Sequence, residues 1–287
     1  SHLDLDGWRE NYAIAAERAR AINAPDLTIR ALNNRGHQEM RRSGPKAAAE
    51  WYAEMAQVAD RYRLPFSLRW AQAVQAFMAY ARGAWDDALG FADSFWAVEP
   101  GVPHYLDAQV HQVRALILLA RGHDAESAAA ADAALAGARR SGDVQQLGPV
   151  LSARAYCFVE LGDPAGARES FSEVVALEKG SENGLDHTTA VAWAAVALGE
   201  ALALDEHDLR FWARAGHAIL AGRLEDAIAM LDEGGATSEA AYARLQLARR
   251  SEDPEPWLSE AEAFYRSVGA TRYLAELDGL RTTRRTA

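Results

Sequence analysis

The chain has 287 residues, 49% hydrophobic and 25% charged, the balance of a folded globular protein. Its formal net charge of −11 excludes a general basic footprint for nucleic acid or an anionic membrane surface. A single cysteine, Cys157, excludes an intramolecular disulfide, and its apolar surroundings read as those of a small core residue. The lone thiol makes a reducing cytoplasm the expected location, and no run of about 18 apolar residues offers a membrane span. The opening "SHLDLDGWRE" has neither an initiator Met nor a signal-peptide layout, and predicts a piece of a longer protein. Only Lys46 and Lys179 are lysines among 30 Lys and Arg residues, the codon signature of a GC-rich genome of actinobacterial type.

In chain order, the apolar spacing predicts a leading helix over 7–23 and a hairpin of helices 25–42 and 45–63. Further hairpins follow at 66–82 with 84–98, 103–121 with 124–140, and 145–161 with 164–178. The polar, Gly-bearing "LEKGSENGLDH" (177–187) predicts a loop, and 188–204 a helix without a clear partner. The pattern resumes at 207–221 with 224–233. Residues 242–280 read as helix, turn, helix, Gly269 and a closing helix. The expected organisation is therefore hairpins over 1–178, an irregular seam over 179–206, and C-terminal hairpins with a capping helix over 207–287, all in one continuous array.

The hairpins share a phrase, [RQ]-[AG]-x6-G. It begins at Gln75, Arg114, Arg154 and Arg214, and at Arg35 with one extra residue. The steps are 40, 39, 40 and then 60 residues. Thirteen residues after each start stand Ala48, Ala88, Ser127, Ala167 and Ala227, all small enough to let two helices approach closely. Each phrase ends at a Gly suited to a helix C-terminus. Asp and Glu then open the next amphipathic stretch, where they suit the helix dipole. One hairpin cannot bury its faces alone, so neighbours must stack.

Ala76, Gly83, Trp85, Ala88 and Pro100, and again Ala155, Gly162, Ala167 and Phe171, resemble the tetratricopeptide repeat. The period is nearer 40 than that family's 34, and Arg or Gln stands where the family favours Leu. The stretch "FYRSVGATRYLAEL" resembles the C-terminal cap of repeat regions in actinobacterial multidomain signalling proteins. Those are nucleotide cyclases fused to signal-transduction NTPases, and large LuxR-type regulators. The resemblance implies an all-α, right-handed superhelix of stacked antiparallel hairpins. It also implies a concave groove at positions five and two before, and two and five after, each phrase start. These are Arg30, Asn33, His37 and Met40; Trp70, Ala73, Phe77 and Tyr80; Gln109, Gln112, Leu116 and Leu119; Pro149, Ser152, Tyr156 and Val159. Trp70, Phe77 and Tyr80 form an aromatic stripe that reads either as core or as groove lining.

No phosphate loop, nucleophile elbow, H-E-x-x-H or paired C-x-x-C is present, so no catalytic residue, cofactor or metal site is predicted. Asp205, Glu206, His207 and Asp208 read as a solvated helix junction rather than metal ligands, His104 and His111 as packing or solvent residues, and Arg281, Arg284 and Arg285 as a frayed end. Arg114, Arg154 and Arg214 read as structural, with an anion-binding ladder as the alternative. The expected function is a non-catalytic protein-interaction or sensor module of a cytoplasmic signalling protein. Its partner would be a protein or peptide, with a small-molecule effector or an oligomerisation scaffold as alternatives, and neither nucleic acid nor membrane as a direct partner.

Overall fold

The computed structural model describes residues 7–179, 189–205 and 207–285, and every regular element among them is an α-helix. A leading helix, α1 (Gly7–Ala21), precedes four hairpins: α2 (Pro25–Ser43) with α3 (Pro45–Tyr62), α4 (Pro65–Ala81) with α5 (Trp85–Val98), α6 (Asp107–Ala120) with α7 (Asp124–Ser141), and α8 (Val144–Glu160) with α9 (Pro164–Lys179). A short helix, α10 (Thr189–Leu198), leads to α11 (Phe211–Leu220) with α12 (Leu224–Gly234). The chain closes with α13 (Thr237–Arg250), α14 (Glu255–Val268) and α15 (Thr271–Arg285).

The shared phrase has a physical cause in the packing. The small residues Ala48, Ala88, Ser127, Ala167 and Ala227 are all fully buried between helices. In the first hairpin the phrase carries Gly36, and a Cβ there would stand 2.8 Å from the Tyr52 ring of the facing helix. The turn glycines carry the left-handed backbone that only Gly adopts without cost: Gly83 has φ of +85° and donates its N–H to the Tyr80 carbonyl at 3.0 Å.

Three predicted helices begin or end elsewhere. The 188–204 helix stops at Leu198, because Gly199 turns left-handed and Glu200 N–H closes on the Ala195 carbonyl. The 103–121 helix begins at Asp107, because Asp107 accepts the His104 N–H at 2.8 Å and Leu106 N–H donates to His104 Nδ1 at 3.1 Å. The 207–221 helix begins at Phe211, because Asp208 folds back onto the N–H and guanidinium of Arg210. Most of the predicted 177–187 loop, and Glu206, lie outside the described residues.

Packing does not stop at neighbours. Along an inner layer α4 touches α6, α6 touches α8, and α8 touches α10. The last third of the chain then returns to the first: α11 meets α2, α12 meets α3, α13 meets α4, and α15 meets α6. The larger apolar core accordingly runs from Ala16 in α1 to Leu277 in α15.

Candidate binding cleft

A cleft of about 490 Å³ is lined by the C-terminal half of α2, by the stretch from Trp70 to Phe77 of α4, and by the beginnings of α6 and α8. Its wall is tied together across four consecutive hairpins. Trp70 Nε1 donates to Asn33 Oδ1 at 2.9 Å, joining α4 to α2. The Trp70 ring stacks on Tyr105, with centroids 5.5 Å apart and planes 7° from parallel. Tyr105 OH donates to Asp143 Oδ2 at 2.8 Å, and Asp143 caps α8 by accepting Gln145 N–H at 2.9 Å. Burial and the neighbouring Asp143 carboxylate push the Tyr105 hydroxyl up to about 12, so it stays a donor at any ordinary pH.

Tyr105 lies in a connection rather than a helix, and a buried arginine holds that connection in place. Arg69 is 1% exposed; it donates to the Val102 carbonyl at 2.6 Å and to Asp107 at 3.2 Å, with its guanidinium 4.4 Å from the Phe95 ring centroid. His104 is buried in the same cluster. Burial and the adjacent Arg69 lower its pKa to about 4, so its imidazole is neutral at pH 7.

The polar lining is dominated by carboxamides. Asn33, Asn34 and Gln38 come from α2, Gln109 and Gln112 from α6, and Gln145 and Gln146 from α8. Several are half used: Asn33 accepts from Trp70, and Gln109 donates to the Ala73 carbonyl at 3.2 Å. A carboxamide has both donor and acceptor faces, so the remaining half of each is available to a ligand. Pro149, inside α8, also lines the cleft and has no N–H, which leaves the Gln145 carbonyl without its helical donor. No Asp or Glu lines the cleft; its basic residues are His37 and Arg41. Phe77, Val74, Met40, Tyr52, Tyr12 and, from the far end of the chain, Trp212 complete it.

Of the sequence-predicted groove positions, Asn33, His37, Met40, Trp70, Phe77, Gln109, Gln112 and Pro149 meet here. Arg30 is exposed and lies outside. Tyr80 and Tyr156 are placed elsewhere, because α13 and α15 cover the C-terminal ends of α4, α6 and α8. The Tyr80 carbonyl accepts from Ser238 Oγ at 2.5 Å, and Ser238 also accepts from Trp85 Nε1 at 2.9 Å. Tyr156 OH lies 2.6 Å from Tyr273 OH, and burial raises both hydroxyls well above the usual tyrosine range. Tyr105, Gln145, Gln146 and Trp212 lie outside the predicted set. The two glutamines follow the Asp143 cap in sequence and carry that local signal. Tyr105 and Trp212 carry none, one being in an irregular connection and the other belonging to a distant hairpin.

Among the described residues no group of His, Cys, Asp or Glu is arranged to hold a metal ion. Asp205 accepts the His207 N–H at 2.9 Å, and its carbonyl lies 2.8 Å from His217 Nε2. Arg281 is paired with Glu255 and Glu262 rather than frayed. Cys157 is fully buried, and burial pushes its thiol up to about 12. No helix among the described residues is long and apolar enough to cross a membrane. No protein-family model matches this chain, and no curated protein matches it.

Proposed function

We propose that this chain is a non-catalytic helical-repeat module of tetratricopeptide-like type, the sensor or interaction arm of a larger cytoplasmic signalling protein. Its hairpins would stack as a right-handed superhelix, and its ligand is a short peptide segment held in the carboxamide-lined cleft. The observation that carries this reading is the pairing of a stacked Trp70–Tyr105 platform with seven carboxamides and no carboxylate. Carboxamides match the alternating donors and acceptors of a peptide main chain, and they bind without titrating. The aromatic platform supplies apolar contact at small entropic cost, as in other peptide- and ligand-binding surfaces. A cleft of about 490 Å³ is of ligand size, and suits a few residues better than a whole partner helix.

The test is titration calorimetry of the full chain with a panel of neutral tetrapeptides, acetylated and amidated at their ends. Saturable binding is expected. Trp70→Ala or Gln109→Ala should weaken it about tenfold, or about 1.4 kcal/mol, with the helical circular-dichroism signal retained. Binding that ignores both substitutions, or no binding across the panel, overturns the reading.

A further inference from the structure

We propose that a second cleft, between the α2–α3 turn and the α11–α12 hairpin, binds a phosphorylated small molecule. It too measures about 490 Å³. Arg42, Lys46 and Arg214 line it, and Glu233 is the one acidic residue of its lining. None of the three cations has a carboxylate partner among the described residues. Arg42 only approaches the Trp8 ring, at 5.5 Å from its centroid.

The repeat explains why this charge is left over. Arg114 and Arg154 occupy the same repeat position as Arg214, and each reaches an aspartate on the preceding outer helix: Asp93 at 3.6 Å and Asp132 at 2.9 Å. The matching places before Arg214 are Ala192 and Trp193, on the short seam helix α10. Arg214 therefore has no carboxylate partner among the described residues and lines the cleft with two further cations. The ladder of arginines is structural at Arg114 and Arg154 and changes role at Arg214.

The charge balance selects the ligand. Three cations against one carboxylate leave two positive charges in a chain whose net charge is −11. A phosphate monoester dianion neutralises them. A guanidinium fork such as that of Arg214 suits phosphate oxygens, and Lys46 adds a point charge. Lys46 and Ala47 stand in the first turn of α3, whose N-cap is Gly44 with no side chain to satisfy the free N–H groups there. Phe211 and Met230 give an apolar wall for the organic part of the ligand. This site is independent of the peptide cleft and stands or falls separately from it.

Phenyl phosphate, titrated into the full chain at constant ionic strength, is the probe. Saturable binding is expected, at least about tenfold tighter than for phenyl sulfate, which carries one charge less. Lys46→Gln and Arg214→Gln, both at exposed positions, should each weaken it about tenfold without lowering the melting temperature of the free protein. Arg114→Gln and Trp70→Ala should leave it unchanged. The proposal is overturned if phenyl phosphate gives no saturable heat, if Arg114→Gln weakens it as much as Arg214→Gln, or if hexaglutamate binds more tightly than phenyl phosphate.

Discussion

The two halves of the inner helices make an instructive contrast. In α4, Trp70 and Phe77 face the open cleft, while Tyr80, less than a turn beyond Phe77, sits under α13. In α6, Gln109 and Gln112 line the cleft, while the Leu119 carbonyl accepts from Arg272 at 2.9 Å. In α8, Gln145 and Pro149 line it, while Tyr156 meets Tyr273. The repeat is the same along each helix; what separates an open cleft from a core is whether the returning C-terminal helices cover it. The covered half is rich in tyrosine and nearly sealed, whereas the open half is rich in carboxamide.

Substitutions can break that contrast. The largest effect is expected at Tyr265, a fully buried ring of the covered half. Tyr265→Ala should cost about 3–5 kcal/mol in urea unfolding, the usual range for a large aromatic removed from a core. Trp70→Ala, in the open half, should cost clearly less; an equal loss would mean that the cleft wall is core. Arg154→Ala comes next. Arg154 donates to Ser170 Oγ at 2.6 Å and lies 4.1 Å from the Phe158 ring centroid, while its aspartate partner is largely exposed. The pair with Asp132 contributes little, and the hydrogen bond and the guanidinium over the Phe158 ring carry most of the effect. A loss of about 1–2 kcal/mol is expected, with peptide binding intact; unchanged stability with lost binding would reverse the assignment.

A subtler effect is expected at Glu239, in the seam between α13 and Tyr80. Its Oε2 is buried without a partner, and burial raises its pKa from 4.5 to about 8. Between those values the unfolded chain has released the proton and the folded chain retains it. Glu239 therefore lowers stability progressively as pH rises from 4.5 to about 8, and has no such effect below 4.5. Glu239→Gln should flatten that slope, as read from urea midpoints at pH 5 and pH 8. The smallest effect is expected from Tyr265→Phe. The Tyr265 hydroxyl is also buried without a partner, so its removal should be neutral or stabilising by up to about 1 kcal/mol.

The hairpins were legible because their causes are local. Apolar spacing, small residues such as Ala48 and Ala88, and turn glycines such as Gly83 act within one repeat. Part of the cleft was legible for the same reason: Trp70, Gln109 and Pro149 occupy equivalent places on successive inner helices. The cover over Tyr80 and Tyr156 was not, because it depends on contacts such as Ser238 with Trp85, made by residues far apart in sequence and marked by no period. Arg69 was equally silent: nothing in "PFSLRWAQ" distinguishes a fully buried arginine from an exposed one. Only the carbonyl of Val102 and the carboxylate of Asp107, on a later connection, determine where it points.

The return of α11–α15 onto α2–α6 also sets a timetable. An open stack of hairpins can fold one unit at a time as it leaves the ribosome. Here the surface around Tyr80 and Tyr156 has no cover until α13 and α15 have been synthesised. At about 5–20 residues per second the interval between the end of α8 and the end of α15 is on the order of ten seconds. Throughout it the nascent chain carries an apolar face that its own later residues must reach before another chain does.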